Sequence, residues 1–328
     1  MDNKKIDFVI LWVDGNDEAW LKEKNKYLNV KGDSGKNRFR DWDNLQYIFR
    51  GIEKHANWVN KIFFITWGHL PSWLNINNPK LRIVKHEEFI PKEYLPTFNS
   101  NVIELNLHRI KDLSERFVLF NDDLFILKDL KKEDFFKKDL PTDIYYAYKK
   151  KNCSKRHETL RNNYLKIINK HFNKNENDKR IISKIFNYNY GFKNFNSLIH
   201  LKDKEYSDFY GTHLTQSYLK SSFSQVWEKE YEMLDKSCYN KFRAESDIGQ
   251  GIIRYWQLLS GKFSPFKSLG KYFIVKSDNT KLLNTIIKQK YKIICVNDAD
   301  ASIDFEKSKK EINTALKSVF SEKSKFEK

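Results

Sequence analysis

The feature that most constrains how this chain folds is residues 117–126, where an apolar run (FVLF) meets Asn-Asp-Asp and then resumes (LFI). An unbroken apolar run with aromatic residues predicts a buried strand in a sheet that is covered on both faces. Two adjacent carboxylates at its end, Asp122 and Asp123, are costly to bury together unless a cation is present. Ligands of open α/β sheets bind at the carboxyl ends of strands, so Mg²⁺ or Mn²⁺ holding a diphosphate is one interpretation. A plain turn is the alternative, since Asn and Asp favour turns.

Two further apolar runs end in carboxylates in the same way. Residues 6–13 (IDFVILWV) lead into Asp14 and Gly15, and residues 292–296 (KIICV) lead into Asn297 and Asp298. A glycine permits positive φ and the close approach of a ligand to the backbone. An ordinary Asp-Gly turn is again the alternative. The repeated pattern favours one shared site over coincidental turns.

The order of apolar patterns predicts the fold class. Strand, helix, strand, strand, helix and strand follow one another up to residue 126, which predicts an α/β fold with a doubly wound, mainly parallel sheet. The predicted helices here start near Leu45 and Asn101, the second running to about Ile110. Residues 1–140 and 206–328 are expected to form the core, with 141–205 as a helical insertion or lid.

Other segments carry weaker predictions. Residues 22–38 and the Lys/Asn-rich run between His171 and Arg180 are expected to be loops. Helices are predicted at 159–172, 181–186, 214–233, 242–259 and 305–320.

Charge and cysteine content limit the partners and the compartment. The 328 residues include 60 Lys and Arg against 43 Asp and Glu, a net charge of +17. Nucleic acid, an anionic membrane face and phosphate-bearing substrates are all candidate partners. Cys153, Cys238 and Cys295 lie far apart, which argues against a disulfide framework or a thiolate zinc site and fits a reducing cytoplasm. No signal peptide or spanning segment is apparent, so a soluble or peripheral protein is expected.

Single polar residues provide candidates for proton transfer and phosphate binding. His213 follows Gly-Thr at a predicted helix start, where a side chain that titrates near neutrality suits proton work. A lone histidine is nevertheless more often structural. Arg243 could clamp a phosphate, although an ion pair with Glu245 or Asp247 is nearly as consistent with the spacing.

Together these segments resemble the Stealth family, the sugar-1-phosphate transferases of bacterial capsule synthesis. The catalytic core of N-acetylglucosamine-1-phosphotransferase belongs to the same family. The segments that carry the resemblance keep their order along the chain: 6–15, 38–73 with 95–123, 211–213, 242–259, 296–298 and 323–327. The resemblance implies a glycosyltransferase-A or Rossmann-like core with a helical insertion.

The resemblance also implies a reaction and residue roles. A hexose-1-phosphate would pass from a nucleotide sugar, such as a UDP-N-acetylhexosamine, to a glycan hydroxyl. Asp122, Asp123 and Asp298 would bind Mg²⁺ or Mn²⁺. His213 would be the base, Arg243 would bind the phosphates, and Asp14 would hold either the donor or the metal. The expected substrate contacts are Trp12, Gly15, Arg40, Asn99, Ser100, Glu104, His108, Asn121 and Asp247.

The expected partners are a nucleotide-sugar donor, a glycan or lipid-linked glycan acceptor, and peripherally an anionic membrane on the cytoplasmic side. One rival function is a metal-dependent glycosyltransferase that releases a nucleoside diphosphate. A basic nucleic-acid-binding protein is the rival from another class. It leaves the three strands that end in carboxylates unexplained, because acids without a metal would repel phosphate.

Overall fold

The computed structural model describes residues 5–29, 40–147, 155–298 and 303–328. The strands in these ranges are β1 (Ile6–Leu11), β2 (Ile62–Thr66), β3 (Leu81–Lys85), β4 (Arg116–Phe120), β5 (Leu124–Ile126), β6 (Phe136–Lys137), β7 (Leu140–Asp143), β8 (Gln216–Leu219), β9 (Ser264–Pro265), β10 (Gly270–Ile274) and β11 (Ile293–Asn297). The helices are α1 (Glu18–Asn25), α2 (Leu45–His55), α3 (Ser100–Leu105), α4 (Lys132–Phe135), α5 (Lys155–His171), α6 (Lys174–Ile185), α7 (Asn194–Ile199), α8 (Lys220–Lys229), α9 (Tyr231–Cys238), α10 (Gly251–Leu259), α11 (Thr280–Ile287) and α12 (Phe305–Val319).

The central sheet has the strand order β3-β2-β1-β4-β8. Its first four strands are parallel, and β8 joins β4 antiparallel at the edge. The order places β1, the first strand, in the middle, as in doubly wound sheets, where ligands bind beyond the carboxyl ends of the strands. The predicted α/β fold with a doubly wound, mainly parallel sheet is therefore confirmed.

The run 117–126 crosses from one sheet to another. Its first half is β4 in the central sheet, whereas its second half, β5, pairs antiparallel with β11 in a sheet of order β10-β11-β5. The pairing sets Leu124 opposite Cys295, and the backbone N–H of Val296 donates to the Asp123 carbonyl at 2.8 Å. The carboxylates of the run thus lie at the junction of two sheets, beside the end of β11.

Both faces of the central sheet are covered, as the apolar run predicted. Val118 and Phe120 face a core that includes α2, α11 and α12, while Phe117 and Leu119 face a core that includes α8 and α10. Side chains alternate between the faces of a strand, so an uninterrupted apolar run fits a strand that is buried on both sides.

Two predicted helices begin or end in the wrong place. Residues 216–219 form β8 rather than helix, because they complete the edge of the central sheet against β4, and α8 begins only at Lys220. The helix predicted over Asn101–Ile110 is α3, which ends at Leu105, and a separate 3₁₀ turn follows over 107–109. Asn106 interrupts it by donating its side-chain amide back to the Val102 carbonyl at 2.8 Å.

Three further segments refine the predictions. The Lys/Asn-rich run after His171 is helical, because Asn173 caps α6 and Lys174 pairs with Asp178 one turn later at 2.5 Å. The helix predicted over 242–259 starts at Gly251 as α10. Of the loop predicted at 22–38, residues 22–25 belong to α1, and 30–38 lie outside the described residues.

The predicted insertion packs on the core through α10. Tyr164, Ile167 and Ile168 of α5 share one hydrophobic cluster with Tyr255 and Leu258 of α10. Cys238 and Cys295 are free and buried, while Cys153 lies outside the described residues. None of the helices in the described ranges has the length and apolar character required to cross a bilayer.

Candidate functional site

Asp123 is at the centre of the candidate site. Its Oδ2 accepts from the Cys295 thiol at 3.1 Å and from the side-chain amide of Asn297 at 3.3 Å. Its Oδ1 is buried and has no hydrogen-bond partner among the described residues. A buried carboxylate oxygen without a donor is costly, so this atom is poised to bind a ligand that carries positive charge.

Asp122, the preceding residue, is exposed at the surface. Its side chain still reaches water, although dense protein surrounds it. This surrounding protein and then the neighbouring Asp123 carboxylate raise the pKa of Asp122 to about 7. Asp41 adds repulsion and Arg243 offsets part of it, so both of these side chains lie near Asp122.

Asp298 is held differently from the other two predicted metal ligands. The β11 pairing carries it toward the turn that holds Asn121 and Asp122, and Arg40 approaches its Oδ2 to 3.5 Å. The Arg40 guanidinium also lies 5.2 Å from the ring centroid of Phe305. An arginine that neutralises Asp298 competes with a metal for it, so metal binding by Asp298 stays a prediction. Asn121, directly after β4, stays a predicted substrate contact.

His213 enters this cluster from an unexpected backbone position. Because β8 follows it, His213 lies in a turn and not at a helix entrance, and its φ is +51°. Non-glycine residues with positive φ are uncommon and often occur at functional sites. Its ring packs edge-on against Tyr272, 5.0 Å between centroids. Ligand atoms of Asp123, His213 and Cys295 all lie within 4.8 Å of one another.

Arg243 lies between Asp122 and the start of α3. Its Nη2 donates to the Ser100 hydroxyl at 2.6 Å. Burial raises the pKa of Glu104 to about 7, against the opposing effects of Arg243 and of the Gln250 backbone N–H. The structure therefore brings Arg243, Ser100 and Glu104 together, as a charged and polar wall near Asp122.

Asn99 and Asp247 do not reach the surface of the candidate site. Both side chains are completely buried. The Asp247 oxygens accept from Asn99 at 3.1 Å, from Asn101 at 2.8 Å, from Asn240 at 2.8 Å and from the Ala244 backbone N–H at 3.0 Å. Direct substrate contact by Asn99 or Asp247 therefore does not fit the structure. Their network instead fixes the loop that carries Arg243.

His108 also differs from its predicted role. Because the helix breaks at Asn106, His108 lies in the 3₁₀ turn after α3 and not on the same helix as Glu104. The His108 ring lies against Phe223 and Trp227, 6.0 and 5.9 Å between centroids, near the start of β4 and away from Asp122. Burial lowers the pKa of His108 to about 4. We therefore assign His108 to packing.

The end of β1 supplies a second polar cluster. The Asp14 backbone N–H donates to His69 Nε2 at 2.7 Å, and Asp14 Oδ1 accepts from the Asn16 N–H at 2.8 Å. The Trp12 ring packs edge-on against His69, 5.2 Å between centroids. Gly15 lies in the turn after β1, and its φ is not positive. A positive φ is therefore not what requires a glycine at this position. Because β1 and β4 are parallel neighbours, these residues lie at the same sheet edge as Asp122.

Sequence reasoning missed several residues at the site. Cys295 donates to Asp123, and Tyr272 donates to the Asn297 side-chain oxygen at 3.1 Å. Asp41 lies near Asp122, and His69 orders the turn of Asp14. Cys295 could have been found, since it precedes Asn297 by two and faces the same side of β11. Tyr272 carries no such signal, because its strand reaches the site only through sheet pairing.

The residues fit a hard divalent cation better than a soft one. The candidate donors are carboxylates, of which Asp123 keeps one oxygen without a donor in the described ranges. Burial and the Asp123 charge raise the pKa of the Cys295 thiol well above its usual range, so this sulfur stays protonated and donates. Protonated sulfur is a poor metal ligand, whereas carboxylate oxygens suit Mg²⁺ and Mn²⁺.

Comparison with known proteins identifies the family. Residues 4–31 match the family model of Stealth protein CR1, conserved region 1, and residues 38–143 match that of Stealth protein CR2, conserved region 2. A capsular polysaccharide phosphotransferase, WcwK of Streptococcus pneumoniae, is 43% identical over 98% of this chain and 99% of its own. The chain belongs to the Stealth family. Both matched regions carry site residues, Asp14 in the first and Asp122 and Asp123 in the second.

Other Stealth relatives agree in class. The receptor polysaccharide phosphotransferase WefC of Streptococcus gordonii is 38% identical and the exopolysaccharide phosphotransferase cps2G of Lactiplantibacillus plantarum 36% identical, over 99% and 98% of this chain and 99% and 96% of theirs. This Stealth chain is accordingly a phosphotransferase enzyme. Among solved structures, galactosyltransferase LgtC with donor and acceptor sugar analogues has a TM-score of 0.41 and 9% identity over 94% of this chain and 95% of its own. The fold assignment rests on the strand order rather than on this remote likeness.

Proposed function

We propose that the protein transfers a hexose-1-phosphate from a nucleotide sugar, a UDP-N-acetylhexosamine, to a hydroxyl of a glycan and so forms a phosphodiester in a capsular or surface polysaccharide. The observation that carries the proposal is the junction of β4, β5 and β11. It brings ligand atoms of Asp123, His213 and Cys295 within 4.8 Å of one another, and Arg243 acts electrostatically on the adjacent Asp122. Similarity to polysaccharide phosphotransferases over the full length supports the substrate class.

Mg²⁺ or Mn²⁺ is the cofactor that we propose for this reaction. Asp123 Oδ1 and the Asp122 carboxylate would hold it, and Asp298 would join them if a ligand displaced Arg40. When bound, the cation neutralises the charge of the donor diphosphate.

The chain's own groups account for the remaining requirements. Arg243, aimed by its bond to Ser100, would bind the transferred phosphoryl group with its planar donors. Asp14, Trp12 and the other polar groups at the end of β1 would hold the nucleotide sugar. The acceptor oxygen forms the new bond to phosphorus, its proton passes to His213, and the bond from phosphorus to the nucleoside monophosphate breaks.

The released nucleotide tests the reaction. Purified protein with UDP-N-acetylglucosamine, Mg²⁺ and a glycan acceptor should release UMP and yield a product with a phosphodiester signal in ³¹P spectra. The sugar keeps its anomeric configuration, because no bond at the anomeric carbon breaks. Direct release of UDP with a phosphorus-free product would instead establish the rival glycosyltransferase.

His213 has two possible roles that one variant separates. As the base, its replacement in His213→Ala should cost about 10²–10⁴-fold in rate and leave Mn²⁺ affinity unchanged. As a metal ligand with Asp123, which its position also permits, the same change should weaken Mn²⁺ binding. Titration of Mn²⁺ by electron paramagnetic resonance distinguishes them, and retained activity would contradict both.

We also propose the setting of the reaction. The acceptor is a glycan or a lipid-linked glycan, and the enzyme acts in the cytoplasm with peripheral contact to the anionic inner face of the membrane. Residues 141–205 are proposed as a lid or insertion on the core formed by 1–140 and 206–328. The packing of α5 on α10 supports a fixed attachment for that insertion.

A further inference from the structure

The predicted insertion exposes an unusual concentration of large apolar side chains. Residues 188–199, called the aromatic finger from here on, contain Tyr188, Phe192, Phe195, Leu198 and Ile199, which are 87%, 90%, 61%, 54% and 71% exposed. Elsewhere in the described ranges, large exposed apolar residues are dispersed along the sequence, apart from a smaller and less exposed group of Tyr231, Met233 and Tyr239 at α9. Dispersed ones are normal, whereas a concentrated apolar patch on a monomer marks an interaction surface.

The aromatic finger is held in shape rather than loosely attached. Tyr190 points into the core and is 5% exposed, and Gly191 then turns the chain with φ +54°. The Asn194 side-chain amide donates to the carbonyls of Asn187 at 2.9 Å and Gly191 at 3.0 Å. With Tyr190 buried and the turn fixed by these hydrogen bonds, Tyr188 and Phe192 are held in exposed positions.

The base of the aromatic finger contacts the segment that leads to His213. The Lys193 ammonium lies 5.3 Å from the ring centroid of Tyr146 and 4.7 Å from that of Tyr210. The Tyr210 carbonyl in turn accepts from Arg254 at 2.8 Å. His213 follows Tyr210 by three residues, so the finger and the candidate site share one support.

The chemistry of the aromatic finger fits a lipid surface. Between residues 185 and 201 the sequence has no Asp or Glu, and asparagines alternate with the apolar residues. Exposed Lys193 lies within it, and exposed Lys202 follows it by three residues. Aromatic residues that combine with amides and lysines suit the boundary between headgroups and acyl chains. A second copy is a poorer partner, because each chain carries a net charge of +17.

We propose that the aromatic finger inserts into the headgroup region of an anionic bilayer and holds the candidate site beside the membrane surface. The inference gives a location to the membrane contact suggested under the proposed function. It can fail separately, because vesicle binding is measured without catalysis.

Sedimentation of the full chain with vesicles tests the inference. The protein should bind vesicles of phosphatidylglycerol and phosphatidylcholine more tightly than vesicles of phosphatidylcholine alone. The double variant Phe192→Ser with Ile199→Ser should bind at least about tenfold more weakly, since two exposed apolar side chains no longer enter the lipid. Phe192→Trp should retain binding, because Trp favours the interface.

A matched control makes the result specific. Ile76→Ser with Ile287→Ser removes apolar side chains that are 54% and 55% exposed outside the finger, and should leave vesicle affinity unchanged. Circular dichroism checks that both double variants fold, as expected for exposed positions. Absent binding of the wild type, unchanged binding of the finger variant or an equal loss in the control would each overturn the inference. So would a dimer without vesicles that only the finger variant dissociates, since the finger would then be an interface between copies.

Discussion

Asp123 and Asp247 are two aspartates of one candidate site region whose oxygens meet opposite surroundings. Asp247 is completely buried, and three asparagine amides and one backbone N–H donate to it. Asp123 receives donors on Oδ2 only, and its buried Oδ1 has none among the described residues. Both were candidates from sequence, Asp123 as a metal ligand at a strand end and Asp247 as a substrate contact near a predicted helix.

The difference shows that the number of hydrogen-bond donors around a buried aspartate distinguishes a structural residue from a candidate ligand-binding residue. A carboxylate whose acceptor capacity is filled by protein donors stabilises the surrounding loop and has nothing left for a ligand. A carboxylate with one oxygen left without a donor is destabilising by itself and becomes favourable only when a cation or donor arrives. The two aspartates should therefore respond differently to substitution.

The largest effect is expected for activity at Asp123. Asp123→Asn removes the charge that we propose holds the cation, and should lower the rate about a thousandfold while the melting temperature changes little. Excess EDTA should abolish wild-type activity, and added Mn²⁺ should restore it. Asp112→Asn, at an exposed position, is the control and should remain active. Full activity in EDTA would remove the reason for treating the two aspartates differently.

At Asp247 the expected loss is in stability. Asp247→Ala leaves the amides of Asn99 and Asn101 and the Ala244 N–H without an acceptor, and should lower the free energy of unfolding by about 3 kcal/mol. Urea unfolding measures this. Folded variant protein should still bind Mn²⁺, and a variant of normal stability that cannot bind Mn²⁺ would place Asp247 in the site.

Glu104 is intermediate between Asp123 and Asp247 in how far hydrogen-bond donors satisfy its carboxylate. Burial raises its pKa to about 7, against the opposing effects of Arg243 and the Gln250 backbone N–H. An acid whose pKa is higher in the folded than in the unfolded protein holds its proton more tightly when folded. Stability therefore falls as the pH rises from about 4.5 through 7. Relative to wild type, Glu104→Gln should become more stable between pH 5 and 8 by about 2 kcal/mol. A difference that does not change with pH would show that Glu104 is ionised throughout.

The smallest effect is expected from the thiol that supports Asp123. Cys295→Ala removes one donor from Oδ2 and should weaken Mn²⁺ binding about tenfold, as for other groups that orient a metal ligand. Cys295→Ser keeps a donor and should bind more tightly than the alanine variant. Cys238→Ala makes the same change at another buried thiol and should leave Mn²⁺ affinity unchanged. Equal Mn²⁺ affinity in the Ala and Ser variants would show that the thiol does not orient Asp123.

Much of the central fold could be predicted because its signals are local. The buried strands appeared as apolar runs, and α2 and α12 as helical patterns, close to their actual bounds. Errors arose where pairing or a single side chain overrode the pattern. Part of the helix predicted from residue 214 is instead β8, which pairs with β4 at the edge of the central sheet. Asn106 ends α3 by donating its side-chain amide to the Val102 carbonyl.

Of the candidate site, the sequence anticipated the carboxylates but not their states. Apolar runs that end in aspartate can be recognised in the sequence alone, and so can the order of the segments that resemble the Stealth family. The contacts of His108 and Asp247 depend on residues distant in sequence, such as Trp227 and Asn99. Burial and hydrogen bonds of this kind are long-range properties, so residue type and spacing cannot supply them.

By itself, the sequence determined the parallel sheet, the strand ends that carry acids and the membership in a family of phosphotransferases. Apolar periodicity and motif order are written in neighbouring residues, and these properties follow from them. The tertiary structure decided that β5 leaves the sheet of β4 to pair with β11, and this places Cys295 and Asn297 on one oxygen of Asp123. Which oxygen remains for a ligand is decided by donors that lie more than 170 residues away in the chain.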